Sequence, residues 1–267
     1  MELRQQALNC LVMTDPAIKA EAVNTLHQAN LSQQIQLDAA QNLKPTQAIP
    51  GLPDKPNLVS PKDVKRRAMT TTEGRAAMIH ALAHIEFNAI NLALDAVWRF
   101  RDMPTKYYAD WLKVAAEEAY HFTLLNQHLQ KLGFKYGDFN GHGSLWEMAE
   151  KTTEDVLARM ALVPRTMEAR GLDASPSLRS KLAQAGDMEA AAVLDIILRD
   201  EIGHVLIGNH WFNYLCESRG LAPIQAYADL AKQYEAPTPR KPFNHEARLA
   251  AGFTEAELAW LENAPAN

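Results

Sequence analysis

The chain has 267 residues, 47% of them apolar and 22% charged, enough to bury a sizeable core in one domain with extensions. A net charge of −5, with histidine neutral, gives no general attraction to nucleic acid. Cys10 and Cys216 form no C-x-x-C pair, so neither a thiolate metal site nor a disulfide framework is indicated, and a reducing compartment is expected.

The first residues, Met1 to Gln6, lack the apolar core of a signal peptide, and no uninterrupted apolar run approaches ~20 residues. These features predict a cytoplasmic protein with no membrane span. Residues 2–43 read as two or three short helices, one of them started by Thr14 as side-chain acceptor with Pro16 in the first turn. The proline-rich polar stretch 44–61 reads as a loop closing an N-terminal helical extension, residues 1–61.

The main domain, residues 62–220, carries four long helical patterns. The first runs from about Thr72 to Arg101 and stops near Pro104. The second runs from about Thr105 to Leu132, with Gly133 as its C-terminal stop. The third is expected from Ser144 to Gly171, with Pro164 inside it bending the helix or freeing a backbone carbonyl. A short helix from Ser175-Pro176 to about Ala185 follows. The fourth long helix runs from about Asp187 to Arg219 and ends at Gly220. Amphipathic stretches at 222–234 and 244–263 form a C-terminal tail, residues 221–267, expected to pack on the outside. No strand alternation competes. Long helices with short connections predict an all-α, antiparallel four-helix bundle with an N-terminal helical extension and a C-terminal helical tail. The basic cluster Lys62, Lys65, Arg66 and Arg67, with Arg240 and Lys241, reads as solvated surface.

Two E-x-x-H motifs carry the chemistry: Glu118-Ala119-Tyr120-His121 and Glu201-Ile202-Gly203-His204. Residues i and i+3 share a helix face, so each carboxylate and imidazole can reach one metal region. Glu86 lies on the helix before the first motif and Glu168 on the helix before the second. The separations, 32 residues from Glu86 to Glu118 and 33 from Glu168 to Glu201, make a weak internal repeat. At 1.5 Å per residue each leg of such a helical hairpin is ~20 Å long, so the two glutamates return to one height. Two hairpins facing each other would bring four carboxylates and two imidazoles together. That is the ligand set of di-iron and di-manganese carboxylate bundles. Carboxylates bridge and neutralise two cations, and imidazole suits iron better than magnesium or calcium.

On these residues the chain resembles the ferritin-like superfamily over roughly residues 70–220. The stretch Val163-Pro164-Arg165-Thr166-Met167-Glu168-Ala169-Arg170-Gly171-Leu172-Asp173 resembles, more narrowly, a bacterial branch carrying a conserved domain of unknown function, itself similar to the di-iron tRNA hydroxylase that acts on hypermodified adenosine. All six ligand positions of the pattern, Glu86, Glu118, His121, Glu168, Glu201 and His204, are present. The resemblance also implies an acidic residue behind each metal-bound histidine, and Glu117 and Asp200 stand four residues before His121 and His204.

Other chemistry-bearing side chains read as structural. His80, His84 and His210 are packing or surface residues, with His84 pointing away from the Glu86 face. Trp98, Tyr107, Tyr108, Trp111, Tyr120 and Trp211 read as aromatic packing rather than an electron path. Arg165 and Arg170 suit either an anionic substrate or structural ion pairs. Pro164, one turn before Glu168, is expected to widen the helix beside the site.

The function expected is a non-haem di-iron carboxylate protein that activates O2, a hydroxylase, monooxygenase or oxidase of unidentified substrate, small or RNA-borne. It would need an external electron donor and would be a monomer or homodimer. The alternatives are a ferroxidase or iron-handling subunit, and a di-manganese site without oxygenase activity.

Overall fold

The computed structural model describes residues 1–65 and 67–263. Arg66 of the basic cluster and residues 264–267 of the tail lie outside the described residues. The all-α fold class is borne out: the described residues form α-helices, one short 3-10 turn and one π-helical segment, with no strand. The chain divides into two compact units, Met1–Trp146 with Ala185–Val193, and Glu147–Gln184 with Leu194–Asn267. The N-terminal extension therefore belongs to the first unit and the C-terminal tail to the second.

In the first unit, α1 (Leu3–Leu11) and α2 (Pro16–Leu31) pack on a long hairpin of α3 (Thr72–Arg99) and α4 (Thr105–Lys131). Asp15, not Thr14, caps α2, its carboxylate accepting from the backbone N–H groups of Ala17 and Ile18 at 2.9 and 3.0 Å. Pro16 fills the first turn, where its missing N–H costs nothing. The α3–α4 turn is pinned by Tyr108, whose hydroxyl donates to Phe100 O at 3.0 Å and accepts from Met103 N–H at 3.1 Å. Gly133, at φ +85°, ends α4 as expected.

Two buried basic side chains hold the extension to α3. Arg4 donates to Trp98 O at 2.6 Å, one of the carbonyls that the helix end leaves open, and to Gln41 O at 2.8 Å. Lys19 donates to Leu11 O, Gly51 O and Asn91 Oδ1 at 3.2, 2.9 and 2.5 Å, with the Phe87 ring 4.8 Å from its Nζ. Gly51 is required there, since a Cβ would come within 2.2 Å of Val12 O. By length and composition α3 is apolar enough to cross a membrane, but 72% of its apolar window is buried inside the protein. It is the core helix of its unit.

In the second unit the expected third helix is three segments. α5 (Ser144–Lys151) begins at the end of the first unit and stops before Thr152-Thr153, a β-branched pair that favours helix poorly, and Asp155 caps α6 (Val156–Leu162) through Leu157 N at 3.0 Å. Val163–Glu168 is π-helical. Pro164 cannot donate a backbone bond, Ala169 N–H reaches back five residues to Pro164 O, and the Thr166 hydroxyl donates to Ala161 O at 2.8 Å. The expected widening at Pro164 is therefore present.

The expected stop at Gly171 and restart at Ser175 are absent. α7 runs unbroken from Ala169 to Gln184 with Pro176 inside it. Pro176 leaves Leu172 O without its helical donor, and the Asn244 side chain supplies one at 3.1 Å. α8 (Met188–Ser218) begins in the first unit, continues through the second and ends before Gly220, at φ +65°. The tail forms α9 (Pro223–Gln233), α10 (His245–Ala250) and α11 (Glu255–Asn263).

Replacing Lys19 with Met strands two buried oxygens, Gly51 O and Asn91 Oδ1, while Leu11 O keeps the Gly51 N–H at 2.8 Å. The Lys19→Met protein should lose roughly 2 kcal/mol of stability in a denaturant titration. An unchanged midpoint would show that the extension is not held by this side chain.

Candidate metal centre

Three of the six expected ligands converge in the first unit. α3 presents Glu86 and α4 presents Glu118 and His121, their side chains 3, 0 and 0% exposed. His121 Nδ1 lies 3.4 Å from Glu86 Oε2 and 3.4 Å from Glu118 Oε2. The ligand atoms of the three lie within 4.8 Å of one another, a spacing that lets them share one ion. The α3–α4 hairpin produces this because both legs are regular helices joined by a five-residue turn, so the register is fixed by counting from Phe100 to Pro104. Phe87 and Phe122, next in sequence to Glu86 and His121, pack with ring centroids 5.9 Å apart and are both buried.

Two carboxylates and an imidazole in so dry a place cannot all carry their usual charge alone. Burial first, then the neighbouring Glu118 charge, pushes the Glu86 carboxyl well above the ordinary carboxylate range. Burial opposes the charge on His121, but hydrogen bonds to Glu118 and Glu86 and their charges outweigh it, raising the imidazole to about 11. A metal ion would replace these protons as the source of positive charge. The donor set, two carboxylates and one imidazole, suits a divalent first-row metal, so this buried cluster can hold a metal ion.

The second unit carries the other three expected ligands. Glu168 ends the π segment, and Glu201 and His204 stand on α8, with His204 Nδ1 3.8 Å from Glu201 Oε1. Two contacts mark the direction of the segments that carry them. A Cβ on Gly208 would come within 2.5 Å of Pro164 Cβ, and Arg179 pairs with Asp195 at 3.1 Å. These pairs run antiparallel, so Glu168 and the Glu201–His204 motif stand on neighbouring antiparallel segments. Glu201 and His204 are buried, and Glu168 is half-buried.

The acidic residues expected behind the histidines sit in ion pairs: Glu117 with Lys113 at 2.6 Å and Asp200 with Arg199 at 2.8 Å. Arg165, whose role the sequence left open, is buried and paired with Glu257, while Arg170 is exposed. His84 is buried, with Nδ1 2.8 Å from the Tyr136 hydroxyl and Nε2 3.1 Å from His142 O. The carbonyl requires an Nε2–H donor, so Nδ1 accepts from tyrosine. His80 stacks on Tyr136, and His210 is exposed. Trp98, Tyr107, Tyr108, Trp111 and Trp211 pack in the cores of their units, but Tyr120 is 46% exposed, which takes it out of the packing assigned to it. In the basic cluster, Arg67 pairs with Glu73 at 2.9 Å.

Residues 12–259 match a protein family described as a protein of unknown function, DUF455. The chain belongs to this family. An uncharacterized protein of Haemophilus influenzae is 49% identical over 267 residues, covering 96% of this chain and 92% of that relative. No solved structure matches the chain.

Burial and the neighbouring Glu118 favour a proton on Glu86, and the two carboxylates favour one on His121, so loading the site should expel protons. Titration with Co(II) in two buffers of different ionisation enthalpy should show release of at least one proton per ion, and affinity rising with pH between 6 and 8 (about one pH unit either side of neutral). Binding with no proton release would mean that the carboxylates and imidazole of the first unit are not the ligands.

Proposed function

We propose that the α3–α4 hairpin and the hairpin of the π segment, α7 and α8 associate as a ferritin-like four-helix bundle. In that arrangement Glu86, Glu118, His121, Glu168, Glu201 and His204 hold two iron ions, and Glu201 of the second unit joins the Glu86–Glu118–His121 cluster. On this reading the protein is an O2-dependent oxidoreductase, a hydroxylase, monooxygenase or oxidase fed by an external electron donor. The observation that carries it is the buried Glu86–Glu118–His121 cluster, whose order of ligands recurs in the second unit. A chain that only needed a stable helical core would gain nothing by burying two such sets of charge.

When bound, two ferrous ions supply the electrons that reduce O2. The chain does the rest. Glu86, Glu118, Glu168 and Glu201 would hold the ions and offset the charge of two divalent cations. His121 and His204 contribute neutral nitrogen donors whose rings are fixed by their burial. The buried Phe87–Phe122 pair, next in sequence to Glu86 and His121, would help keep this part of the hairpin dry. The substrate would be a small molecule or an RNA-borne base, and the ligand set would also serve manganese.

The deciding experiment is metal analysis of protein purified without added metal, with Mössbauer spectra of the iron-loaded protein before and after O2. Two irons per chain, and a spectrum that changes on oxygenation, are expected. Glu118→Ala and Glu201→Ala should each lose at least one ion. Two irons inert to O2 would leave a metal site without the oxygenase role, and two manganese ions would replace iron. Binding indifferent to both substitutions would remove the site itself.

A further inference from the structure

We propose that the C-terminal helices α10 and α11 are a brace that sets the position of Glu168, with Glu257 and Asp173 as the positioning residues. The inference rests on the two-metal reading, in which Glu168 is a ligand.

Glu168 is the one expected ligand on a π-helical segment, and a π turn persists only where its surroundings hold it. The surroundings here come from the tail. Three residues before Glu168, the Arg165 guanidinium is buried among the rings of Phe212, Tyr227 and Phe253, at 4.8, 5.4 and 4.7 Å. It pairs with Glu257 of α11 and donates to Asn209 Oδ1 at 2.5 Å. Glu257 is itself fixed, since its second oxygen accepts from Thr254 N–H at 2.7 Å while Thr254 Oγ1 accepts from Glu257 N–H at 3.2 Å, a reciprocal helix cap.

The other flank is held as firmly. Five residues after Glu168, Asp173 accepts from Arg248 Nε and Nη2 at 2.9 and 2.7 Å and from Asn244 N–H at 2.9 Å. Asn244 also donates to Leu172 O, the carbonyl that Pro176 leaves open. The tail thus grips the chain on both sides of Glu168 through buried, charge-assisted bonds, at the two places where proline has removed a helical hydrogen bond. Surface packing alone would not need two buried arginines, each paired to a carboxylate.

The test is Co(II) titration of the full-length wild-type protein and of Glu257→Gln, Asp173→Asn and, as a control in an exposed pair of the same unit, Arg179→Ala. Helix content is checked by circular dichroism. Wild type and Arg179→Ala should bind two ions alike. Glu257→Gln and Asp173→Asn should keep the first ion, bind the second about 10- to 100-fold more weakly, and alter its visible ligand-field spectrum. Folded variants whose affinity and spectrum match wild type, even if they melt earlier, overturn the brace. A wild-type protein that binds no Co(II) sinks the two-metal reading instead.

Glu257→Gln leaves Arg165 buried without its carboxylate and can unfold the unit. Hydrogen exchange on the wild type therefore runs alongside. Co(II) should slow exchange in residues 163–169 and 244–257 together, and slowing confined to 163–169 overturns the proposal.

Discussion

The first unit is organised around one unfavourable act: two carboxylates and an imidazole are withdrawn from water at a single point between α3 and α4. Burying one ionised carboxylate without compensation costs several kcal/mol, and two at this spacing repel each other as well. Positive charge must be supplied there, as protons on Glu86 and His121 or as a metal ion. Either way the two helices are held in one register, because a slip of one residue would rotate Glu118 and His121 away from Glu86 by about 100°.

The helix that carries Glu86 is consequently an unusual core element. α3 is apolar enough to resemble a membrane span, yet it buries Asn88, Asn91 and Asp95 along with Glu86. Each amide or carboxylate has local work. Asn91 receives Lys19 from α2, Asp95 takes the Trp98 indole and the Arg99 guanidinium, and Asn88 donates to His84 O. These bonds fix which neighbour lies against which face, a specificity that apolar contacts alone would not supply. The extension is bound through Lys19 and Arg4 to the same helix that carries Glu86.

The parts legible in the sequence were those set by local rules. The bounds of α3 and α4, the stops at Gly133 and Gly220, and the pairing of Glu86 with Glu118 and His121 follow from helix periodicity, glycine caps and counting along two straight legs. The parts that were not legible depend on residues far away in the chain. Pro176 reads as the start of a helix because a proline inside one normally strands a carbonyl. It is tolerated because Asn244, 72 residues beyond Leu172, satisfies that carbonyl. Thr14 and its neighbour Asp15 are both residue types that cap well, and only the backbone geometry at Asp15 separates them. The signal for Glu257 was present as Thr254-x-x-Glu257, a capping-box spacing, but nothing local announces that its second oxygen serves Arg165.

This division between local and distant control differs between the two hairpins. In the first, all three acidic and imidazole groups stand on regular α-helix, and each is almost wholly buried, so their positions follow from backbone geometry that no distant contact needs to enforce. In the second, Glu201 and His204 share that character, but Glu168 stands at the end of a π turn, half-buried, and its place depends on bonds to residues more than 70 positions away. A carboxylate on regular helix has little backbone freedom. One at the junction of π and α turns can move when a single hydrogen bond changes between five-residue and four-residue spacing. Of the six residues proposed as ligands, Glu168 is therefore the one whose backbone has room to shift, and the tail bonds on either side of it limit that movement.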